Sequence, residues 1–278
     1  MIKTILLVLD GQDADHATID LALRWSSDFG VTLVGLGLLD ESIVNPPEPV
    51  PLGGGEAKRT RDAARMNKQR QAVEHSLAAI AARCAQENVP FKPFDPVGLP
   101  VEEIAGEAQR YDLIVMPRPE PDDTDSIEEG STAALWAILR ATPRPVVAVP
   151  AQAAPGKSIV IAYDGSLQAA RAVQAFESSG LAARHPLYVV AIDDDPEEAA
   201  RRGSRAIDFL ACHDLSAKLH TVACTSSPSE HLMETAQSLN AGLIVMGAYG
   251  RRRIFEFFLG SVTQAMLAEC PIPLFLYH

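Results

Sequence analysis

The run Ala241-Gly-Leu-Ile-Val-Met246-Gly-Ala-Tyr-Gly250-Arg-Arg-Arg-Ile-Phe-Glu-Phe-Phe-Leu-Gly260-Ser-Val-Thr263 passes from an apolar strand, through a loop marked by glycines, into the start of a helix. The run has an earlier partial twin. Tyr111-Asp-Leu-Ile-Val-Met116 precedes its strand at an offset of 130, and Gly130-Ser131 precedes Gly260-Ser261 at the same offset. Working outward, Ile2 to Asp10 followed by Gly11 returns as Ser158 to Asp164 followed by Gly165-Ser166, and Pro143-Arg-Pro145 returns as Pro271-Ile-Pro273. Ordered matches of this kind mark an internal duplication.

Each copy alternates short runs rich in Val, Ile and Leu with helical patterns. The strands are expected near 2–9, 31–38, 91–96, 112–117 and 145–149, then near 158–163, 187–192, 217–223, 242–246 and 273–277. Continuous apolar runs suit strands buried on both faces. Between the first two, Ala14, Ala17, Leu21, Trp25 and Phe29 recur at spacings of three and four until Gly30 stops the helix. Alternating strand and helix implies a parallel sheet with right-handed crossovers. The fold class is therefore α/β: two tandem, doubly wound, five-stranded Rossmann-like domains, 1–150 and 157–278, joined by a linker over 151–156. The first copy is longer, chiefly through a Pro/Gly-rich loop over 42–65 that leads into a charged helix near 56–88. Long loops of that kind are commonly lids or mobile segments.

Composition narrows the function. A net charge of −12 on 278 residues argues against a general nucleic-acid or anionic-membrane surface. It leaves room for one phosphate chain in a local pocket. The four cysteines, Cys84, Cys212, Cys224 and Cys270, form no C-x-x-C pair, which fits a reducing compartment. The N-terminal apolar run is short and ends in Asp10, and no apolar stretch reaches the roughly 20 residues that span a bilayer. A cytoplasmic protein is expected.

The glycine-bearing loop carries the chemistry. Gly247 ends a strand where a side chain would block a ligand from the backbone, so Gly247→Val is expected to abolish binding and leave the fold intact. Gly250 can take a positive φ and expose its N–H. Gly260 lets the chain turn into a helix whose first N–H groups suit a phosphate, with Ser261 and Thr263 adding hydroxyls. Asp164 follows the first strand of the same copy and so reaches the same rim, where it can accept hydrogen bonds from an adenine or a ribose. Ile192 ends the next strand and offers an apolar wall for the base. Open parallel sheets bind ligands beyond the carboxyl ends of their strands.

The spacing G-x2-G-x9-G-[ST], filled by Gly247, Gly250, Gly260 and Ser261, resembles the ATP-binding signature of the universal stress protein family. The resemblance covers nearly the whole chain as two fused copies, within a fold like that of the adenine nucleotide alpha hydrolases. It implies that ATP, or AMP or ADP in its place, with or without Mg²⁺, contacts Asp164 with Ala162 and Tyr163 beside it. The other implied contacts are Ile192, Met246, Gly247, Tyr249, Gly250, Gly260, Ser261, Val262 and Thr263. It also implies a role in stress resistance and pairing through the last strands, either within the chain through 145–149 and 273–277 or as a homodimer.

The first copy departs from the pattern. Its corresponding positions read Pro117, Glu120, Gly130 and Ser131, and residues 118–129 carry six carboxylates against Arg118, while 248–259 carry three arginines against Glu256. Like charges at 4 Å repel by about 1 kcal/mol even in bulk water, so a triphosphate should avoid this copy. The acidic run reads as a solvated loop, with Mg²⁺ or Ca²⁺ ligation as the alternative, and the copy as a structural pseudo-domain, with binding of another ligand under the 42–65 loop as the alternative. Of the arginines, one is expected to touch phosphate. The seven histidines fall in no metal-binding spacing. No general base or metal pair stands near the loop, so the reading is a nucleotide-binding regulator, with at most slow ATP hydrolysis. A weak ATPase and an interaction protein with a vestigial pocket are the alternatives.

Overall fold

The computed structural model describes residues 1–11, 15–39, 55–118, 133–224, 227–248 and 260–278. It divides into two compact units: Lys3–Arg144, and Pro145–His278 together with Met1–Ile2.

The first unit runs β1 (Thr4–Leu9), α1 (Asp15–Phe29), β2 (Thr32–Leu39), α2 (Gly55–Glu87), β3 (Phe91–Pro100), α3 (Val101–Glu107), β4 (Leu113–Arg118) and α4 (Ala133–Ala141). Its strands lie in the order β3-β2-β1-β4, with each described pairing parallel. Central β1 is buried from Ile5 to Leu9, as its unbroken apolar run requires. Helix α1 buries Ile19, Ala22, Trp25 and Ser26 at helical spacing and ends at Gly30, whose φ of 66° is the left-handed stop that a glycine permits. Strand β3 is longer than expected and shifts register twice against β2. It contains Pro93 and Pro96, which an edge strand tolerates because one side of its ladder is unused.

The second unit runs β5 (Val146–Pro150), β6 (Ser158–Ala162), α5 (Leu167–Ser179), β7 (Leu187–Asp193), α6 (Pro196–Cys212), β8 (Ala217–Ala223), α7 (Pro228–Ser238), β9 (Ala241–Gly247), α8 (Ser261–Glu269) and β10 (Leu274–Tyr277). The order is β5-β10-β9-β6-β7-β8, parallel except for β5, which runs antiparallel to β10 with Phe275 opposite Val147. The core gathers Val160, Ile161, Phe176, Val189, Ile244, Val245 and Phe275, with Phe176 and Phe275 edge to face at 5.8 Å. Burying each such side chain contributes about 1.5–3 kcal/mol. Strand β8 is mostly exposed and presents Lys218, a charge that discourages further strand pairing.

The sequence assigned the strand at 145–149 to the first copy and read 151–156 as a linker. The compact division falls earlier, between Arg144 and Pro145. The segment after β5 is fastened to the second unit: the Ala154 N–H donates to the Pro271 carbonyl at 2.8 Å, and a Cβ on Gly156 would lie 2.2 Å from the Ala241 carbonyl carbon. Only glycine allows the two backbones so close.

Candidate functional site

The carboxyl ends of β6, β7 and β9 assemble the rim. Register aligns Ala162 with Val190 across β6–β7 and Ile161 with Val245 across β6–β9. Continuing those registers sets Asp164 level with Ile192 and Tyr163 level with Gly247. The two residues that the sequence offered to a base thus lie side by side, and both are half-buried.

Local bonds hold this rim. The Tyr163 N–H donates to the Val190 carbonyl, extending the ladder one residue past β6. Gly165 turns with φ of 76°, and the Ser166 N–H donates to Asp164 Oδ1 at 2.9 Å, a side-chain-closed turn that aims the carboxylate along the rim. Ser166 caps α5, its Oγ accepting from the Ala169 N–H at 3.1 Å. Burial pushes the Tyr163 phenol above its ordinary range, with Arg205 opposing and Asp164 adding to the effect. Beyond Ile192, Asp193 pairs with Arg202, which also holds Glu198. Bonds from Arg201, joined by Arg202, hold the Glu198 carboxyl below its usual range. Neither arginine was singled out from the sequence, because ion pairs on a helix face leave no motif.

The other side of the rim is the passage from β9 to α8. Met246 is buried, and Gly247 lies against the first turn of α5: a Cβ there would sit 2.8 Å from the Ala169 nitrogen and 2.8 Å from the Gln168 carbonyl carbon. This corrects the expected reason for the glycine. Helix packing demands it, so Gly247→Val cannot leave the fold intact. Gly260 is the N-cap of α8 with φ of −62°, a conformation any residue adopts. Its lack of a side chain matters in another way, because the N-cap residue supplies no capping group of its own. Thr263 is buried, and its Oγ1 donates to the Gly247 carbonyl at 3.4 Å, tying the helix start to the strand end. Ser261 is exposed and Val262 half-exposed at the mouth. Tyr249, Gly250 and the arginines Arg251, Arg252 and Arg253 lie outside the described residues.

The site residues within the description thus converge from Ala162–Asp164, Ile192, Met246–Gly247 and Gly260–Thr263. Such a mouth, with a partial positive helix end at one side and a carboxylate beside an apolar wall at the other, suits an elongated ligand that is anionic at one end. No group of three or more metal-ligating side chains occurs among the described residues.

In the first unit Asp10 and Gly11 occupy the equivalent corner, but Asp10 is buried, and Pro117 and buried Arg118 stand where Gly247 and Ala248 stand in the second. Glu120, Gly130 and Ser131, with the acidic run, lie outside the described residues, as do residues 42–54 of the expected lid.

Residues 156–278 match the universal stress protein family. Over 294 residues, covering 99% of this chain and 100% of the relative, the chain is 22% identical to universal stress protein Slr1230 of Synechocystis sp.. Over 133 residues, 43% of this chain and 97% of the relative, it is 30% identical to a Thermus aquaticus protein named universal stress protein in QAH/OAS sulfhydrylase 3'region. The crystal structure of a universal stress protein from Archaeoglobus fulgidus DSM 4304 has a TM-score of 0.67 at 17% identity, covering 99% of this chain and 97% of that one, a likeness of fold. The duplicated strand-and-helix order, the rim of the second unit and these likenesses lead to one assignment: the chain belongs to the universal stress protein family.

Proposed function

We propose that the second unit binds an adenine nucleotide, ATP in the first instance, and that its occupancy tunes a stress-response regulator. The base would lie against Ile192 with Asp164 beside it, and the phosphates would meet the N–H groups of Ser261, Val262 and Thr263. The observation that supports this most is the helix start at Gly260: its N-cap residue has no side chain to occupy the first N–H groups, and Thr263 fastens it to the strand end of the same rim. A nine-residue helix with such an end attracts an anion. AMP and ADP share the base contacts, and Mg²⁺ would accompany the longer phosphate chain.

Mass spectrometry of the ligand released on denaturing the purified protein tests the reading. ATP at a hundredfold over its dissociation constant should stabilise the protein by about 2.7 kcal/mol. Ser261→Glu sharpens the test. A carboxylate in the first turn of α8 suits the helix by about 0.3–1 kcal/mol, yet it places a like charge where phosphate would lie. Thermal stability should hold or rise while ATP affinity falls at least about tenfold. A protein that releases no nucleotide, with a melting temperature indifferent to ATP, would instead support an interaction protein with an empty mouth.

A further inference from the structure

Helix α2 buries Val73, Leu77, Ile80 and Cys84, and α6 buries Ala199, Gly203, Ala206 and Leu210 with the same spacing. Superposing the two stripes sets Pro196, where α6 begins, opposite Arg70. Residues 55–69 of α2 therefore form an extension with no counterpart in α6, about 22 Å long at 1.5 Å per residue. The root of the extension is fixed. A Cβ on Gly11 would lie 2.7 Å from Ala72 Cβ. Asp15, 2% exposed at the start of α1, accepts from the Gly11 N–H at 3.0 Å and from the Ser76 hydroxyl of α2. A helix anchored in this way is preformed, so docking on it costs little ordering entropy.

The surface of the extension is basic. Residues 55–70 carry six cations against Glu56 and Asp62, a net of +4 in a chain of −12. Lys58 and Asp62 are half-buried and pair at 3.5 Å. The other five cations are exposed. Arg61, Arg65 and Lys68, at spacings of four and three, line one flank, and Arg59 and Arg70, about three turns apart, line the other. Between the flanks lie Thr60, Ala64, Asn67 and Gln71, with none of the Trp, Phe or Leu that a membrane-surface helix would bury. Arg59, Lys68 and Arg70 make no ion pair among the described residues.

The corresponding place in the second unit has the opposite sign. One residue past Ile192, β7 passes into α6 through Asp193-Asp194-Asp195-Pro196-Glu197-Glu198. Arg202 answers Asp193, and Arg201 with Arg202 answers Glu198. Asp194, Asp195 and Glu197 are left, all exposed. Asp195 caps α6 and Glu197 stands in its first turn, where the helix dipole favours a carboxylate. The turn is therefore a fixed patch of negative charge.

We propose that the basic extension of α2 in one copy of the chain docks on the acidic turn 193–198 of a second copy. Screening confines the attraction to charges that face each other, since the Debye length is about 8 Å at physiological salt. The overall −12, which repels whole molecules at low ionic strength, does not cancel a local match. The contact is one helix face against one turn, too small for a permanent interface. Exposed ion pairs contribute little each, so the association is weak, reversible and salt-sensitive.

Sedimentation of the full chain tests this. In about 0.05 M salt the wild type should self-associate, and its dissociation constant should rise at least about tenfold in about 0.5 M salt. Arg59→Glu combined with Arg70→Glu should leave a monomer, and so should Asp194→Lys combined with Glu197→Lys. All four positions are exposed, so both double variants should keep the fold. Mixed in equal amounts, the two variants should associate again, because each carries the sign that the other now needs. That recovery separates this contact from pairing through the last strands, which neither reversal touches. A wild type that stays monomeric in dilute salt overturns the proposal, whether or not α2 binds an added polyanion such as heparin. So does association that survives either reversal, or a mixture of the two variants that stays monomeric.

Discussion

At Gly247 the nearest foreign atoms are backbone, the Ala169 nitrogen and the Gln168 carbonyl carbon, and backbone in the first turn of a helix has nowhere to go. At Gly260 the conformation is open to any residue, and what counts is that the N-cap residue brings no capping side chain of its own. The two glycines look alike in the signature and answer to different physics. Gly247→Val should therefore shift α5 and cost about 1–3 kcal/mol, the usual penalty of overpacking. Denaturant unfolding of the ligand-free variant measures it. Loss of nucleotide binding in that variant would report on the fold before it reported on the site.

At the scale of the element, α5 supports the rim from beneath. Its N-cap Ser166 is also the residue whose N–H closes the turn on Asp164. Ser166→Ala removes the cap and keeps the turn, because the N–H remains. Stability should fall by about 1 kcal/mol, seen as a lower denaturation midpoint with an unchanged slope. Elements of this kind were legible from the sequence because their signals are local. The strands announce themselves as apolar runs, and Asp164-Gly165-Ser166 contains its own turn chemistry. Helix α2 was legible as a charged helix, yet its hold on Gly11 was not, since that contact joins residues 61 positions apart and depends on how far a helix overshoots a sheet. The burial of Asp15 was hidden for the same reason: an aspartate in the first turn of a helix ordinarily reads as a solvent-facing charge favourable to the dipole.

For the whole molecule, the repeat predicted two α/β copies, and two compact units of that class are present. Among the described residues no helix is long and apolar enough to cross a membrane. The compact division differs from the repeat-based one because periodicity assigns a strand to the copy that precedes it, whereas β5 is held by its pairing with β10 and by the anchored stretch that follows. This has a practical outcome for anyone splitting the gene. A fragment starting at Gly156 would contain the matched family region and lose β5, baring the Leu274–Tyr277 ladder along a strand rich in Leu and Phe. Unguarded ladders recruit other chains. Sedimentation should find the 156–278 fragment self-associated, since it lacks the eleven residues, 145–155, that include the strand covering this ladder.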